Sequence, residues 1–580
     1  MTLNDREMGF MKTAQIARML ALALLACAAT MRAADPPIAE NKEAEEGDGL
    51  VIGTRDPKVF NEIDRFILAR LRSESVDPSP ICTDYEFVRR AFVDVVGMIP
   101  TGEEIKAFVN DKSAEKRAKL VEKLLNDNER YADHWEVMWG DWLREHTAGK
   151  KEAEPGKYRD WLRAALKSNM PYDQFAMKLM TASGKPSENA ATNFFFRDQM
   201  NRVETVNTIA QTFMGTRMAC AQCHDHPFDK WTQTDFHGLM AYFSQVQVTK
   251  APKKKDVNQE EPHVADKPKG DYHMPMEGDD AKKGSKGGEI VEPRFAWNPA
   301  LKPSGPTRRE ALASAVVAAP HFATVQVNRL WAQLMGRGIV EPTDDFREKN
   351  PPSHPELLDF LADQFVKNKF DSKHVLRLIL NSAAYQRSSM PTDGNRSDLT
   401  LFSHQRVRRM TAEELFDSIL VAAGHDKGLA DMPGALADNN KTAAKKGNAP
   451  AMGRKKGHVE WATDLPTPAK TGTFMNVFNQ PPRNVITTKR DEEGAVTQAL
   501  EMLNGAAVNE SVSSSPLIDH LAANKSDPRH AVTELYLATL TRAPSSAELE
   551  AAAKRSDGSR DSLVDLQWAL MNTREFTFIK

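Results

Sequence analysis

Apolar residues recur at three- and four-residue steps along most of the chain, and this spacing is the feature that most limits its fold. The pattern begins at Val59 and continues through Phe60, Ile63, Phe66 and Ile67. Such steps place apolar side chains on one face of an α-helix. No strand-rich section and no internal repeat stands out, so the sequence predicts a mainly α-helical protein.

The distribution of polar residues predicts two domains. The chain has 580 residues, which is more than one compact core usually serves. The span 249–300 is rich in Lys, Asp, Glu, Gly and Pro, as in a solvated linker. We therefore predict two helical domains, over 56–248 and 301–580, joined by a long polar linker. A second polar stretch near 425–471 is predicted as a loop within the second domain.

The N-terminus has the order of a secretory signal. Lys12 and Arg18 precede the apolar run 19–26, and small residues follow. We predict a signal peptide over 1–34, a linker over 35–55, and export of the mature chain to the periplasm or beyond. The apolar run is too short to cross a bilayer, and we expect no transmembrane helix in the mature chain.

An alternative to soluble export is attachment to lipid. The residues Leu-Leu-Ala-Cys that end at Cys27 resemble a lipobox, in which Cys27 is lipidated and becomes the first residue. Both forms of export remain open from the sequence.

Composition and motif content exclude several classes of function. The net charge of -3 provides no strongly positive surface, so we do not expect a nucleic-acid partner. The chain lacks a Gly-x-Ser-x-Gly nucleophile turn and a glycine-rich nucleotide loop. Paired carboxylates cannot be located from spacing alone. Whether the protein is an enzyme therefore stays open.

The most specific motif is the string Cys-x-x-Cys-His formed by Cys220, Cys223 and His224. It lies between helices predicted over about 204–218 and 234–244. In such a string, the two thiols form thioethers with the vinyl groups of a porphyrin, and the histidine ligates the iron. We expect covalently attached haem c here, with His224 as the proximal ligand and the two helices around the cofactor.

The surroundings of this motif offer further candidates. Met240 and His237 are the candidates for the distal iron ligand. Asp229 and Trp231 are expected close to the ligands, with Asp229 accepting a hydrogen bond from a ligating histidine. The alternative is a turn in which Phe228 and Trp231 pack.

Two other interpretations of the motif remain open. Cys220, Cys223, His226 and His237 provide four tetrahedral ligands for zinc, which would make the protein a zinc-stabilised helical scaffold or binding protein. Alternatively, Cys220 and Cys223 form a local disulfide beside an incidental His224.

A second polar cluster occupies the C-terminal half. A functional interpretation places Asp344, Asp345 and His354 in a cleft that faces the haem, as acid, base or substrate contacts. The structural interpretation has Ser353 capping the following helix through a capping box, and Asp345 forming a local ion pair with Arg347.

Longer phrases in both halves are recognisable. They are Glu204 to Trp231 around the motif, Arg89-Arg90-Ala-Phe-Val-Asp-Val-Val-Gly97, Tyr131-Ala-Asp-His-Trp135, Asn328-Arg-Leu-Trp331, Pro481-Pro-Arg483 and Leu503-Asn-Gly505. Together they resemble a large cytochrome-associated family, expanded in planctomycetes and verrucomicrobia, that pairs two domains of unknown function. The first domain would span 59–248 and the second about 308–576.

The resemblance implies an exported c-type cytochrome that serves a respiratory or polysaccharide-degrading system. Because the chain has one Cys-x-x-Cys-His string, it would carry one haem and would need a redox partner protein. An alternative is a carbohydrate-active enzyme with its chemistry in the C-terminal half.

Overall fold

The computed structural model describes residues 57–145, 155–197, 201–248, 262–275, 288–431, 461–491, 493–524 and 527–580. Within these ranges the protein is mainly α-helical, as the apolar spacing predicts. The predicted signal peptide, the linker over 35–55 and Cys27 lie outside the described residues, as does most of the loop predicted over 425–471.

The N-terminal half is built from ten α-helices among the described residues. They are α1 (Glu62–Ser73), α2 (Asp84–Val96), α3 (Gly102–Asn110), α4 (Lys116–Asn126), α5 (Asn128–Leu143), α6 (Pro155–Lys167), α7 (Tyr172–Met180), α8 (Asn193–Phe196), α9 (Arg202–Met214) and α10 (Gln233–Ala241). Two 3₁₀ helices, Ala190–Thr192 and Ala219–Gln222, lie in the connections.

The C-terminal half continues the helical pattern. Its helices are α11 (Arg308–Ala318), α12 (Pro320–Met335), α13 (Pro355–Lys367), α14 (Ser372–Leu380), α15 (Ala412–Ala422), α16 (Phe474–Val477), α17 (Val496–Asn504), α18 (Ala506–Ser513), α19 (Pro516–Ala523), α20 (Pro528–Leu540), α21 (Ser546–Arg555), α22 (Arg560–Met571) and α23 (Arg574–Thr577). Short 3₁₀ helices cover Gly428–Asp431 and Ala462–Asp464.

The described strands are short and pair in twos. They are β1 (Val246–Val248) with β2 (Val264–Asp266), β3 (Tyr272–His273) with β4 (Ile290–Val291), and β5 (Arg408–Arg409) with β6 (Phe578–Ile579), all antiparallel. Pairs this small do not form a sheet that could carry a core.

The start of α15 shows how the sequence sets a helix boundary. The Thr411 hydroxyl accepts a hydrogen bond from the Glu414 amide at 3.3 Å, and the Glu414 carboxylate accepts one from the Thr411 amide at 2.8 Å. This capping box satisfies two amides that the first turn leaves without helical partners. It fixes the rotation of α15, and with it the direction of Glu413 and Asp417.

One hydrophobic core runs through both halves. Tyr172 on α7 stacks on Phe322 of α12 with ring centroids 4.5 Å apart, and Phe66 on α1 meets Phe360 of α13 at 5.4 Å. Aromatic side chains bury large apolar areas, so these pairs stabilise the contact between the two halves.

The described part of the span predicted as a polar linker is attached to both halves. β2 pairs with β1, and Val264 at the start of β2 also forms an isolated bridge with Gly184. Asp266 accepts a hydrogen bond from Arg309 Nε at the start of α11, at 3.0 Å. The polar composition of the span does not prevent this order, because backbone pairing and one largely buried ion pair supply the contacts.

Among the described residues, no helix combines the length and the apolar character that a bilayer crossing demands.

Candidate functional site

The Cys-x-x-Cys-His string lies in an exposed connection between α9 and α10. The helix predicted to run to about residue 218 ends earlier, at Met214, because Gly215 adopts the left-handed conformation with φ 60°. A 3₁₀ helix then carries Cys220. Cys220 and Cys223 are both exposed, and both are free thiols. The disulfide interpretation of this pair is therefore wrong for this structure.

Gly215 allows the loop to approach the C-terminal half. Its carbonyl oxygen accepts a hydrogen bond from the Phe346 amide at 2.9 Å. A Cβ atom at this position would lie 2.6 Å from side-chain atoms of both Phe346 and Val325. Only glycine tolerates this contact together with the positive φ.

A buried carboxylate holds the chain segment that precedes the motif. Asp344, which is fully buried, accepts hydrogen bonds from Arg217 Nε at 2.9 Å and Nη2 at 2.7 Å, and from Gln211 Nε2 at 2.5 Å. Burial opposes ionisation of Asp344, but the bonds from Arg217 outweigh it, and the pKa of the carboxyl lies below its usual range. Asp344 therefore anchors the segment three residues before Cys220.

The rest of the second polar cluster is also structural. Asp345 pairs with Arg347 at 3.0 Å, so that predicted ion pair is confirmed. His354 is buried against Phe402, with ring centroids 5.3 Å apart, and does not face the motif through an open cleft.

The predicted cap of α13 by Ser353 is wrong. The residue at the cap position is His354, with no side-chain hydrogen bond to the helix, and Pro355 occupies the first turn. The Ser353 hydroxyl donates instead to the Ile339 carbonyl oxygen at 3.2 Å. The Ser353 hydroxyl thus forms a tertiary hydrogen bond in place of the predicted capping box.

The imidazole of His224 is exposed, and its orientation follows from one hydrogen bond. Its Nδ1 lies 2.7 Å from the carbonyl oxygen of Asp225. A carbonyl oxygen can only accept, so Nδ1 carries the proton and donates. The lone pair of the neutral ring is then on Nε2, which is the nitrogen available to a metal.

The residues after the motif form a turn around Trp231. The His226 amide donates to the Trp231 carbonyl oxygen at 2.8 Å, and the Phe228 amide donates to His226 Nδ1 at 3.2 Å. Trp231 is buried, while the Phe228 side chain is 70% exposed. The turn interpretation therefore describes the backbone and Trp231, but Phe228 does not pack.

Asp229 holds Trp231 rather than a histidine. Its carboxylate accepts a hydrogen bond from Trp231 Nε1 at 2.9 Å. Trp231 in turn packs on Trp297, with ring centroids 5.5 Å apart. Among the described residues, no histidine donates the expected hydrogen bond to Asp229. The carboxylate accepts from the indole N–H of Trp231 instead.

The two distal candidates are both engaged elsewhere. His237 Nε2 donates to the Gln222 carbonyl oxygen at 3.0 Å, and its Nδ1 accepts from the Tyr272 hydroxyl at 2.7 Å. Burial lowers the pKa of His237. Met240 is packed in the core. Ligation by either residue stays a prediction. His237 would have to give up one of its two hydrogen bonds, and Met240 would have to leave the core.

The four residues of the zinc interpretation do not assemble around one point. Among the described residues, no group of three or more His, Cys, Asp or Glu side chains has the arrangement that holds a metal ion. Cys220, Cys223 and His226 lie on the exposed loop, whereas His237 is buried in α10.

A groove of about 590 Å³ lies beside the loop, between the turn after the motif and the C-terminal half. We call it the loop groove and define it by Phe228, Lys230, Trp231, His321 and Phe346, which line it. Its lining combines exposed aromatic surface with cationic side chains.

Sequence reasoning missed a second polar site between the two halves. This central cavity, defined by His134, Glu413, Asp417, Trp461 and Arg490, has a volume of about 140 Å³. Its residues come from α5, α15 and the connections near 461 and 490. One signal was available: Glu413 and Asp417 are four residues apart, so they share a face of one helix.

The environments of these two carboxyls differ. Arg490 donates to Glu413 through Nη1 and through Nη2 at 3.3 Å. Burial opposes ionisation of Glu413, but Arg490 outweighs it and the pKa falls to about 2. Burial raises the pKa of Asp417 well above its usual range, and the nearby carboxylates add to this. Glu413 is thus an anion, while the neutral acid is favoured at Asp417.

Comparison with known protein families agrees with the two halves. Residues 62–248 match the family PSCyt2, described as "Protein of unknown function (DUF1549)", and residues 308–555 match PSD1, "Protein of unknown function (DUF1553)". No curated protein and no solved structure matches the chain. The paired domains that the resemblance implies are thereby confirmed. The chain therefore carries a DUF1549 domain followed by a DUF1553 domain, both of them families of unknown function.

Proposed function

We propose that this protein is an exported c-type haem protein, with one haem attached through Cys220 and Cys223 and ligated by His224. The observation that carries the proposal is the Nδ1 bond of His224 to the Asp225 carbonyl oxygen at 2.7 Å. It orients the ring and leaves the Nε2 lone pair for iron, which is how metal-ligating histidines are usually held.

The two cysteines meet the chemical requirement for attachment. Each thiol adds across a vinyl double bond: a C–S bond forms, the thiol hydrogen goes to the other vinyl carbon, and no oxidant is consumed. Both thiols are exposed and free, so the machinery that performs the addition can reach them. Bacterial attachment takes place on the periplasmic side, which agrees with the proposed export of the chain.

The loop groove supports the same proposal. Phe228 is 70% exposed beside it, which leaves its ring available to pack against an apolar ligand. Lys230, Arg347 and Lys349 also line the groove. Asp229, Glu348 and Asp359 line it as well, so the groove has no excess of positive charge, and its apolar side chains are what suits a haem ring.

The haem would supply one-electron redox chemistry. Since the chain has a single motif, electrons must come from or go to a partner, which we propose is a redox protein or a component of a polysaccharide-degrading system. The exposed position of the loop leaves it open to such a partner.

Zinc binding is the alternative for the same cysteines. It is less well supported, because His237 would have to give up the Tyr272 hydroxyl to ligate through Nδ1, and it is buried in α10 while the two cysteines are exposed on the loop. Cys220, Cys223 and His226 alone would leave the tetrahedral set of a structural site incomplete.

The test is a pyridine haemochrome spectrum and elemental analysis of protein made in a periplasm with the haem-attachment machinery. The wild type should show a c-type spectrum and one iron per chain. Cys220→Ala with Cys223→Ala should lose both, while Cys82→Ala, a change of the buried cysteine outside the motif, should keep them. Wild-type protein without haem, or with zinc instead of iron, contradicts the proposal.

A further inference from the structure

The central cavity has the size of one small ring. Its volume is about 140 Å³, and an engineered protein cavity of about 150 Å³ takes up benzene. Lys489, whose side chain is 52% exposed, also lines the cavity, so one side of it reaches solvent. A ligand can therefore enter without unfolding either domain.

Two buried side chains in the cavity have unused hydrogen-bonding capacity. His134 is 7% exposed, and neither of its ring nitrogens has a hydrogen-bond partner among the described residues. Asp417 accepts from the Ala462 amide at 2.8 Å through Oδ1, and within the described residues its Oδ2 has no partner. Both side chains line the cavity, so hydroxyl groups of a ligand can reach these atoms.

His134 is held in this position by the backbone beside it. Gly97 ends α2 with φ 76°, and a Cβ atom there would lie 2.6 Å from His134 Nδ1. The ring therefore packs directly on the Gly97 backbone. Burial lowers the pKa of His134, so a neutral imidazole, which both donates and accepts, is favoured.

The charges around the cavity balance. Six Lys and Arg side chains and seven carboxyls line it, and with the neutral acid favoured at Asp417 the remaining charges cancel. Several are already paired: Arg490 with Asp141 at 2.7 Å and with Glu413, and Lys489 with Glu341 at 4.0 Å. A charged ligand would have to disrupt these pairs.

Aromatic surface completes the lining. Trp461 and Phe478 both face the cavity, and Phe478 is fixed by stacking on Phe474 at 4.4 Å. The C–H face of a saturated ring packs well on such aromatic surface. A purely apolar ligand, in contrast, would leave His134 and Asp417 unpaired.

From size, unused polar groups, charge balance and aromatic lining together, we propose that the central cavity binds one uncharged, hydroxyl-rich six-membered ring, which is the chemistry of a single neutral sugar residue. His134 and Asp417 hydrogen-bond its hydroxyl groups, and Trp461 packs on its face. This site is separate from the haem loop, and the inference stands whether or not the haem proposal does.

The experiment is saturation-transfer NMR on the full chain with neutral monosaccharides: glucose, galactose, mannose, xylose, fucose and N-acetylglucosamine. Glucuronate and glucose 6-sulfate serve as charged probes of the same ring size. Asp417→Asn keeps the shape of the side chain but changes its hydrogen bonding, and His134→Ala removes the ring. The matched control is Asp565→Asn, an exposed carboxyl on α22 that does not line the cavity.

The proposal expects transfer to at least one neutral sugar, with affinity about tenfold weaker in Asp417→Asn and unchanged in Asp565→Asn. Competition by the charged probes should be weak. The absence of transfer to every neutral sugar, equal transfer in Asp417→Asn, or stronger binding of the charged probes would overturn it. If His134→Ala does not fold, Asp417→Asn still decides the question.

Discussion

Arg483 of the DUF1553 domain donates through Nε to the carboxylate of Asp141 in the DUF1549 domain at 2.9 Å, with both side chains buried. Its other nitrogens donate to Glu145 at 2.6 Å and to the Val137 carbonyl oxygen at 2.9 Å. One guanidinium thus closes the end of α5 from the other domain.

Replacement of Arg483 should be strongly destabilising. Arg483→Met removes one of two cations from each of two buried carboxylates, since Asp141 keeps Arg490 at 2.7 Å and Glu145 keeps Arg159 at 3.2 Å. Because hydrogen bonds to charged groups contribute about 1.5–3 kcal/mol, we expect a loss of that size. Denaturant unfolding measures the loss. Arg560→Met is the matched control, because its pair with Asp519 is exposed and should contribute less than about 1 kcal/mol. Equal effects of the two changes would contradict a central role for Arg483.

Gly215→Ala should destabilise the protein for two reasons that a control can separate. The positive φ costs a non-glycine residue about 1–2 kcal/mol, and the new Cβ atom meets Phe346 and Val325, which adds about 1–3 kcal/mol. Gly472→Ala is the control, since Gly472 has φ 82° but nothing within 4 Å of the added atom.

Thermal unfolding compares the two glycine variants, and Gly215→Ala should lose about twice as much free energy or more. Haem incorporation in Gly215→Ala should fall with it, because the glycine positions the approach to Cys220. A smaller loss than that of Gly472→Ala would mean that the contact with Phe346 relaxes freely.

His354 makes the stability depend on pH. Burial and the neighbouring Arg70 lower the pKa of His354 to about 4, although Asp398 and Glu356 oppose this. The unfolded chain binds a proton near pH 6.5 and the folded chain does not. The contribution of His354 is therefore complete above pH 6.5 and is lost as the pH falls toward 4.

The check is the unfolding free energy at pH 7 and pH 4.5. His354→Phe keeps an aromatic ring against Phe402 but cannot titrate, so it should lose less stability over this interval than the wild type, by about 2 kcal/mol. His520→Phe, at an exposed position on α19, should follow the wild type. Identical pH dependence in wild type and His354→Phe would refute the assignment.

How much the sequence revealed depended on whether a feature was local. The mainly α fold and the ion pair of Asp345 with Arg347 rest on residues close in sequence, and these predictions are confirmed. Ser353 shows the limit. Its spacing fits a capping box, but its hydroxyl donates to the carbonyl oxygen of Ile339, which lies 14 residues earlier and outside the helix.

The central cavity could not be predicted because its parts are distant in sequence. His134 and Asp417 come from different domains. The residues around each of them contain no motif that predicts contact with the other. The sequence predicted only that Glu413 and Asp417 lie on the same face of one helix. Two carboxyls on a helix face are more often solvated or paired than part of a functional site. In the folded protein Arg490 pairs with Glu413, whereas Asp417 has no cationic partner among the described residues.

Asp417→Asn should raise the stability of the protein, and by more at higher pH. Burial raises the pKa of Asp417 above the unfolded value of 3.8, and the carboxylates of Asp464, Glu413 and Asp133 face it. A raised folded pKa gives a contribution that is complete below the unfolded pKa and is lost as the pH rises through the folded value. Asparagine does not titrate, so its advantage should grow from pH 4 to pH 8 in paired unfolding measurements. An advantage that stays constant with pH would mean that Asp417 ionises normally in the folded protein. The seven carboxyls and six cations that line the cavity would then leave a net negative charge, which would weaken the argument from charge balance for an uncharged ligand.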